Sequence, residues 1–246
     1  HPMNSPRFSG DEFPPGLVAI PSTEVLWSRC AAQLLDAVLH APPNSRVCLD
    51  WCQVPTIQKR NYLVEQFLAD PALKWLLFID ADMLPPADTI QRLLRTGAAS
   101  DRHVVGALCF SRHQMPYHAA AGFFRGSAIT YLEDFSGAVQ EVDWLGTGCV
   151  LIWREVLEAA ALRRGSEVFR PEPGFVKFGR GEDQEFSRFV TALGFTLCCD
   201  TSISVGHLGL TSIDETFVAS LTKPQSPRAE ADCQTWFRGT PPRTGA

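Results

Sequence analysis

The run KWLLFIDADMLPP, Lys74 to Pro86, decides how the rest of the chain is read. Trp75 through Ile79 form an unbroken apolar stretch, the mark of a strand covered on both faces. Asp80, Ala81 and Asp82 follow, and then the proline pair Pro85-Pro86, with Pro86 suited to a helix start. In extended chain, residues two apart point to the same side. A carboxylate at the end of an apolar strand needs a cationic partner. Two of them at a sheet edge suit a hard divalent cation such as Mg²⁺ or Mn²⁺. The motif alone also permits a plainer reading, a strand-end Asp followed by a helix N-cap.

Outward from this run, strand and helix patterns alternate. Leu17–Ile20 is a short apolar strand ending at Pro21-Ser22. Leu26, Cys30, Leu34, Leu35, Val38 and Leu39 recur at helical spacing, and Val47–Trp51 is a second strand. Thr56 is placed to cap a helix with Ile57, Leu63, Val64, Phe67 and Leu68 on its inner face. After the Asp80/Asp82 strand come a helix carrying Ile90, Leu93 and Leu94 and a strand over Val104–Phe110. This order predicts an α/β fold: a mostly parallel central sheet flanked by helices. Ligands of such sheets bind beyond the carboxyl ends of the strands. Pro21-Ser22, Asp50 and Asp80/Asp82 all fall there.

The second half reads differently. Ala128–Leu132 and Ala138–Val142 flank Asp134-Phe-Ser-Gly, which predicts a small β-hairpin. Gly146-Thr-Gly leads into a buried strand, Cys149–Trp153, and a helix starting at Arg154. Residues 163–181 are rich in Gly, Pro and Arg and predict a loop. Glu182–Leu193 is a helix with Phe186, Phe189, Val190 and Leu193 inside, closed by Gly194. A strand over Phe195–Cys199 and the segment Val205-Gly-His207-Leu-Gly complete the periodic part. The organisation expected is an N-terminal arm over 1–15, one domain over 16–212 and a Pro-rich C-terminal tail over 213–246.

Composition narrows the function classes. Charges of 22 basic and 27 acidic residues give a net −5, with no long basic block, so phosphate-backbone affinity is not the main theme. No apolar run approaches the ~18 residues of a transmembrane segment, and no leader is legible. The eight cysteines sit mostly in apolar segments, which fits buried thiols of a reduced, cytoplasmic protein. Cys48 and Cys52 lack a second ligand pair, so no zinc site is expected.

Further chemistry gathers in two places. Gly181-Glu182-Asp183 opens a helix, where acids serve the helix dipole, but Asp183 lies three residues before Phe186 and so on the packed side. A carboxylate there suits a general base. His207, between Gly206 and Gly209, is able to complete a carboxylate metal site.

The words FIDADMLPP, WLGTGCVLI, GEDQEFSRFVTALGF and the GH of SVGHLG, in that order, resemble the GT-A fold nucleotide-sugar glycosyltransferases of the family-2 type. TIQKRNYLVEQFL resembles the Arg-Asn helix ahead of their Asp-rich strand, and the likeness spans roughly Leu17 to Leu210. The resemblance implies a GT-A, Rossmann-like single domain that transfers a sugar to an acceptor hydroxyl. It implies a UDP- or GDP-sugar donor and Mn²⁺ or Mg²⁺. Asp80 would lie near the ribose or the metal, with Ala81 beside it. Asp82 would bind the cation on the donor diphosphate, and His207 would be the far metal ligand. Pro21 and Ser22 would border the nucleobase, and Arg60 the base or diphosphate. Trp144, Gly146, Thr147 and Gly148 would form the wall where donor sugar and acceptor meet. Asp183 would take the acceptor proton with inversion, Glu182 being the second candidate.

Where the family continues strand one into a Thr-Tyr/Phe-Asn segment, this chain reads VAIPSTEVLW. Ser111–Phe124 carries no family word: His113 and His118 read as loop histidines, and Arg112 and Tyr117 as acceptor contacts or simply packing residues. Arg170, Lys177 and Arg180 read as solvated loop cations. The acceptor is left open among a glycan, a lipid-linked sugar, a protein, a small molecule and a modified nucleobase, as is the oligomeric state. A retaining transferase, a metal-dependent nucleotidyltransferase and a non-catalytic nucleotide-sugar-binding module are the competing readings. The nucleotidyltransferase is disfavoured because Pro21-Ser-Thr-Glu lacks the Gly-rich phosphate loop and its basic residue.

Overall fold

The computed structural model describes residues 13–23, 25–99, 101–111, 117–126, 128–171, 181–209, 212–213 and 215. His113, Arg112, Lys177, Arg180 and nearly all of the arm and the tail lie outside them. The elements in chain order are β1 (Leu17–Pro21), α1 (Ser28–Leu39), β2 (Arg46–Asp50), α2 (Thr56–Leu68), β3 (Trp75–Ile79), β4 (Met83–Leu84) and α3 (Thr89–Gly97). Then follow β5 (Val104–Leu108), β6 (Ala121–Arg125), β7 (Ala128–Tyr131), β8 (Val139–Val142), β9 (Trp144–Leu145), β10 (Cys149–Trp153) and α4 (Arg154–Arg164). The last are α5 (Glu182–Ala192), β11 (Leu197–Ser204), β12 (Gly206–Leu208) and β13 (Ser212–Ile213).

A seven-stranded sheet in the order β2-β1-β3-β10-β5-β11-β8 forms the centre. β2, β1, β3, β5 and β11 run one way, and β10 and β8 run against them. β3 is buried along its whole length, and its alternation serves two cores. Leu76 and Phe78 pack toward Leu63, Phe67, Val156, Phe186 and Val190, from α2, α4 and α5. Trp75, Leu77 and Ile79 pack toward Leu34, Ile90, Leu93 and Leu94, from α1 and α3. The result is an α/β/α sandwich with a switch point where the chain leaves β1 for opposite neighbours, β2 and β3.

Local differences from the sequence reading have physical causes. β10 is antiparallel because it starts at the carboxyl edge: the Gly148 carbonyl accepts from Asp80 N at 2.8 Å, so the strand has to run back between β3 and β5. A small hairpin is present, but its arms are β6 and β7, which pair at Phe123↔Thr130. The segment Ala138–Val142 instead supplies β8, the edge of the main sheet against β11. Thr56 is the first residue of α2 rather than its cap. Pro86 precedes α3 by a turn, its carbonyl accepting from Thr89 N and Oγ1.

Candidate functional site

β3 delivers its aspartates through a turn, not through strand alternation. Met83 N donates to the Asp80 carbonyl at 3.0 Å, folding Asp80–Met83 into a tight turn before β4. The expectation that the pair shares a side by extended geometry is therefore corrected. The turn instead lets β4 pair with β12, setting His207 opposite Met83, with Leu208 N donating to the Asp82 carbonyl at 2.8 Å.

That pairing brings His207 Nε2 within 3.5 Å of Asp82 Oδ2. His207 Nδ1 lies 2.8 Å from the Phe110 carbonyl, just past β5. A carbonyl only accepts, so Nδ1 carries a hydrogen, and Nε2 is the ring nitrogen that faces Asp82. A ligating histidine is held in this way, its other nitrogen donating to a carbonyl. Among the described residues, no group of three or more His, Cys, Asp or Glu is placed to hold a metal ion.

Asp80 has a different partner. Arg60 Nη2, from the buried face of α2, donates to both its carboxylate oxygens, at 2.9 and 3.0 Å. Arg60 Nη1 reaches the Thr147 carbonyl at 3.4 Å, and the guanidinium lies 5.1 Å from the Phe78 ring centre. Burial raises the Asp80 pKa, Arg60 pulls it down and Asp82 pushes it up again. The next residue of α2, Asn61, clasps the backbone of Phe169: Nδ2 donates to its carbonyl at 2.9 Å, and its N–H donates to Oδ1 at 2.8 Å. Phe169 stacks on Phe186 of α5 at 4.4 Å. The Arg-Asn pair thus ties the Asp80 turn to the helix that carries the other acids.

Those acids open α5. Gly181 sits at φ 85°, a left-handed conformation that a side chain would strain. Asp183 Oδ1 accepts from Gln184 N at 2.8 Å. Ser187 Oγ donates to the Asp183 carbonyl at 2.7 Å and accepts from Leu145 N at 3.2 Å, which pins the helix start to β9 and Trp144. Burial raises the Asp183 pKa. Burial, with Asp183 adding to it, raises Glu182 to about 7.

The groups share one cleft of about 760 Å³, whose lining includes Arg60, Asp80, Glu182, Asp183 and His207. Trp144, Gly146, Thr147 and Gly148 also line it. Pro21 and Ser22 do not: both are buried, Ser22 N donates to the Asp50 carbonyl at 2.8 Å, and Lys59 Nζ donates to the Ser22 carbonyl. Their neighbours Thr23 and Val25 rim a separate hollow of about 470 Å³ with Cys52, Val54 and Lys59. Arg60, expected at the base or diphosphate, is committed to Asp80. Gln184 and Tyr131, which the sequence does not single out, and His118, which reads as a loop histidine, also line the cleft. His118 lies within the segment that carries no family word, and Tyr131 looks like an ordinary strand residue.

No family model matches the chain, and no curated protein sequence matches it. The fold is that of a GT-A, Rossmann-like α/β domain. Among solved structures, the chain is similar to A197 from STIV, with 18% identity and a TM-score of 0.53, over 79% of this chain and 86% of that one. It is also similar to GalNAc-T7 with UDP, GalNAc and Mn²⁺, with 13% identity and a TM-score of 0.56. That match covers 80% of this chain and 44% of the other, so this chain spans less than half of that protein. Likeness at these identities establishes the shared fold. No helix among the described residues is long and apolar enough to cross a membrane.

Proposed function

We propose that the chain is a metal-dependent glycosyltransferase of the family-2 type, moving a sugar from a nucleotide-diphosphate sugar to an acceptor hydroxyl with inversion. One observation carries this reading: His207, whose Nε2 lies 3.5 Å from Asp82, lines the same cleft at the carboxyl edge of the sheet as Asp80 and the Glu182–Asp183 pair. The described donors suit a hard divalent cation. Such ions take one or two protein ligands and complete their shell with substrate phosphates and water. Asp82 and His207 would hold the ion, and Asp80, steadied by Arg60, would flank it. When bound, the cation neutralises the charge of the departing diphosphate.

The remaining work falls to the acids. The acceptor oxygen forms a bond to the anomeric carbon as the bond from that carbon to the diphosphate oxygen breaks. The acceptor proton passes to Asp183, whose Oδ1 is steadied by Gln184 N and whose raised pKa makes it a stronger base. The nucleoside diphosphate leaves as the anion. Trp144 and the Gly146-Thr-Gly148 segment wall the reacting centre from water.

The test is Asp183→Asn. The variant should bind nucleotide sugar with Mn²⁺ as the parent does, yet transfer about 10²–10⁴-fold more slowly. Proton NMR of the wild-type product should show the inverted anomer. Near-parental turnover in the Asn variant, or a retained anomer, removes Asp183 as the base of a direct displacement.

A further inference from the structure

We infer that this cleft seats the ring of a neutral sugar on the aromatic pair His118 and Tyr131, making a carbohydrate the acceptor class. Calling that sugar the acceptor rests on the transferase reading; the seat itself rests on geometry. The two rings lie face to face, with centres 4.1 Å apart and planes within 9°. Tyr131 meets Trp144 edge-on at 5.9 Å and 77°. All three line the cleft, and Tyr131 keeps 39% of its surface exposed.

A small sheet holds Tyr131 and Trp144, and backbone hydrogen bonds hold His118 beside it. β6 lies between β7 and β9, with Gly122 paired to Tyr131 on one side and Trp144 on the other. A Cβ on Gly122 would fall 2.0 Å from the Thr130 carbonyl oxygen and 3.0 Å from Trp144 Nε1. Only glycine lets the indole lie this close to the strand. The Ser111 and Ala120 backbone bonds, to His118 O at 2.9 Å and Cys109 O at 2.8 Å, bracket His118. The aromatic pair is thus anchored by backbone hydrogen bonds on the cleft wall, with Tyr131 exposed.

The chemistry of the lining chooses the occupant. A pyranose has an apolar C–H face, which an aromatic ring attracts through its negative quadrupole, and a rim of hydroxyl donors. Glu182, Asp183 and Gln184 share the cleft and can accept from such hydroxyls. Among the described lining residues the one permanent cation is Arg60, and it is bound to Asp80. Among the described lining residues, a polyanion such as DNA would meet Glu182 and Asp183 without a spare cation. A nucleobase could stack equally well, so charge, not stacking, separates the two acceptors.

Saturation-transfer NMR on the full chain tests this without turnover. The probes are neutral gluco-, galacto-, manno- and N-acetylhexosamine oligosaccharides, a single-stranded and a duplex DNA, and a Ser/Thr-rich peptide. At least one oligosaccharide should receive saturation at its ring C–H protons. Tyr131→Ala and His118→Ala should each weaken that binding about tenfold, while Tyr131→Phe, which keeps the ring, holds it within about threefold. Circular dichroism confirms that each variant is folded, and the two alanine variants stand in for each other. Binding by no oligosaccharide, equal binding by both alanine variants, or Tyr131-dependent binding of DNA or peptide instead overturns the inference. Sugar binding by a protein that splits no nucleotide sugar would keep the seat and refute the transferase; the reverse result would do the opposite.

Discussion

Arg60 Nη2 bridges both carboxylate oxygens of Asp80, at 2.9 and 3.0 Å, from a side chain only 3% exposed. The first aspartate of the motif is therefore held from α2 as well as from β3. Removing the cation should leave a largely desolvated carboxylate unpaired. Arg60→Met is expected to destabilise the fold by about 2–4 kcal/mol, below the cost for a fully buried pair because Asp80 is 27% exposed. Urea denaturation checks it, and a loss within experimental error would mean that the pair is incidental.

The Asp82–His207 pair makes a separate prediction about metal. Asp82→Ala and His207→Ala should each weaken Mn²⁺ binding, in the presence of UDP or GDP, by about 100-fold or more. Titration calorimetry or the Mn²⁺ electron-spin signal reads this directly. Unchanged affinity in both variants would place the ion elsewhere.

Glu182 predicts a pH dependence of stability. Its carboxyl rises from 4.5 to about 7 on folding, chiefly through burial, with Asp183 next. The folded state therefore holds this proton more tightly than the unfolded chain does. No penalty exists below 4.5; it grows between 4.5 and about 7 and stays constant above. Glu182→Gln should gain on the order of 2–3 kcal/mol over the parent between about pH 5 and about pH 8. Paired denaturation curves at those two values measure the difference. A gap that does not change with pH would contradict the burial of this group.

Legibility in the sequence followed local physics. β3 was readable because an unbroken apolar run has few other homes, and α5 because its apolar period and Gly194 agree: Gly194 lies at φ 93° with its N–H on the Thr191 carbonyl. His207 and the acids could be chosen as candidates by type and position. What escaped depends on long-range pairing. The direction of β10 is set by the bond between Gly148 and Asp80, 68 residues apart, and no periodicity carries it. The hairpin was assigned to the wrong partner because Ala128–Leu132 and Ala138–Val142 alternate equally well, and pairing with β6 or β11 is decided elsewhere. Arg60 looked like a ligand-binding cation because its carboxylate partner is 20 residues away. Tyr131 reads as an ordinary strand residue and His118 as a loop histidine, because their stacking leaves no trace in spacing.

The central claim is metal-dependent transfer from a nucleotide sugar. Release of nucleoside diphosphate from a panel of UDP- and GDP-sugars, with and without Mn²⁺ and with the neutral oligosaccharides as acceptors, tests it most directly. The account predicts that one donor is split only with the metal and that Asp82→Ala abolishes the release. If no donor is split under any condition while nucleotide sugars still bind in a metal-dependent way, the cleft is a binding site and the account is wrong.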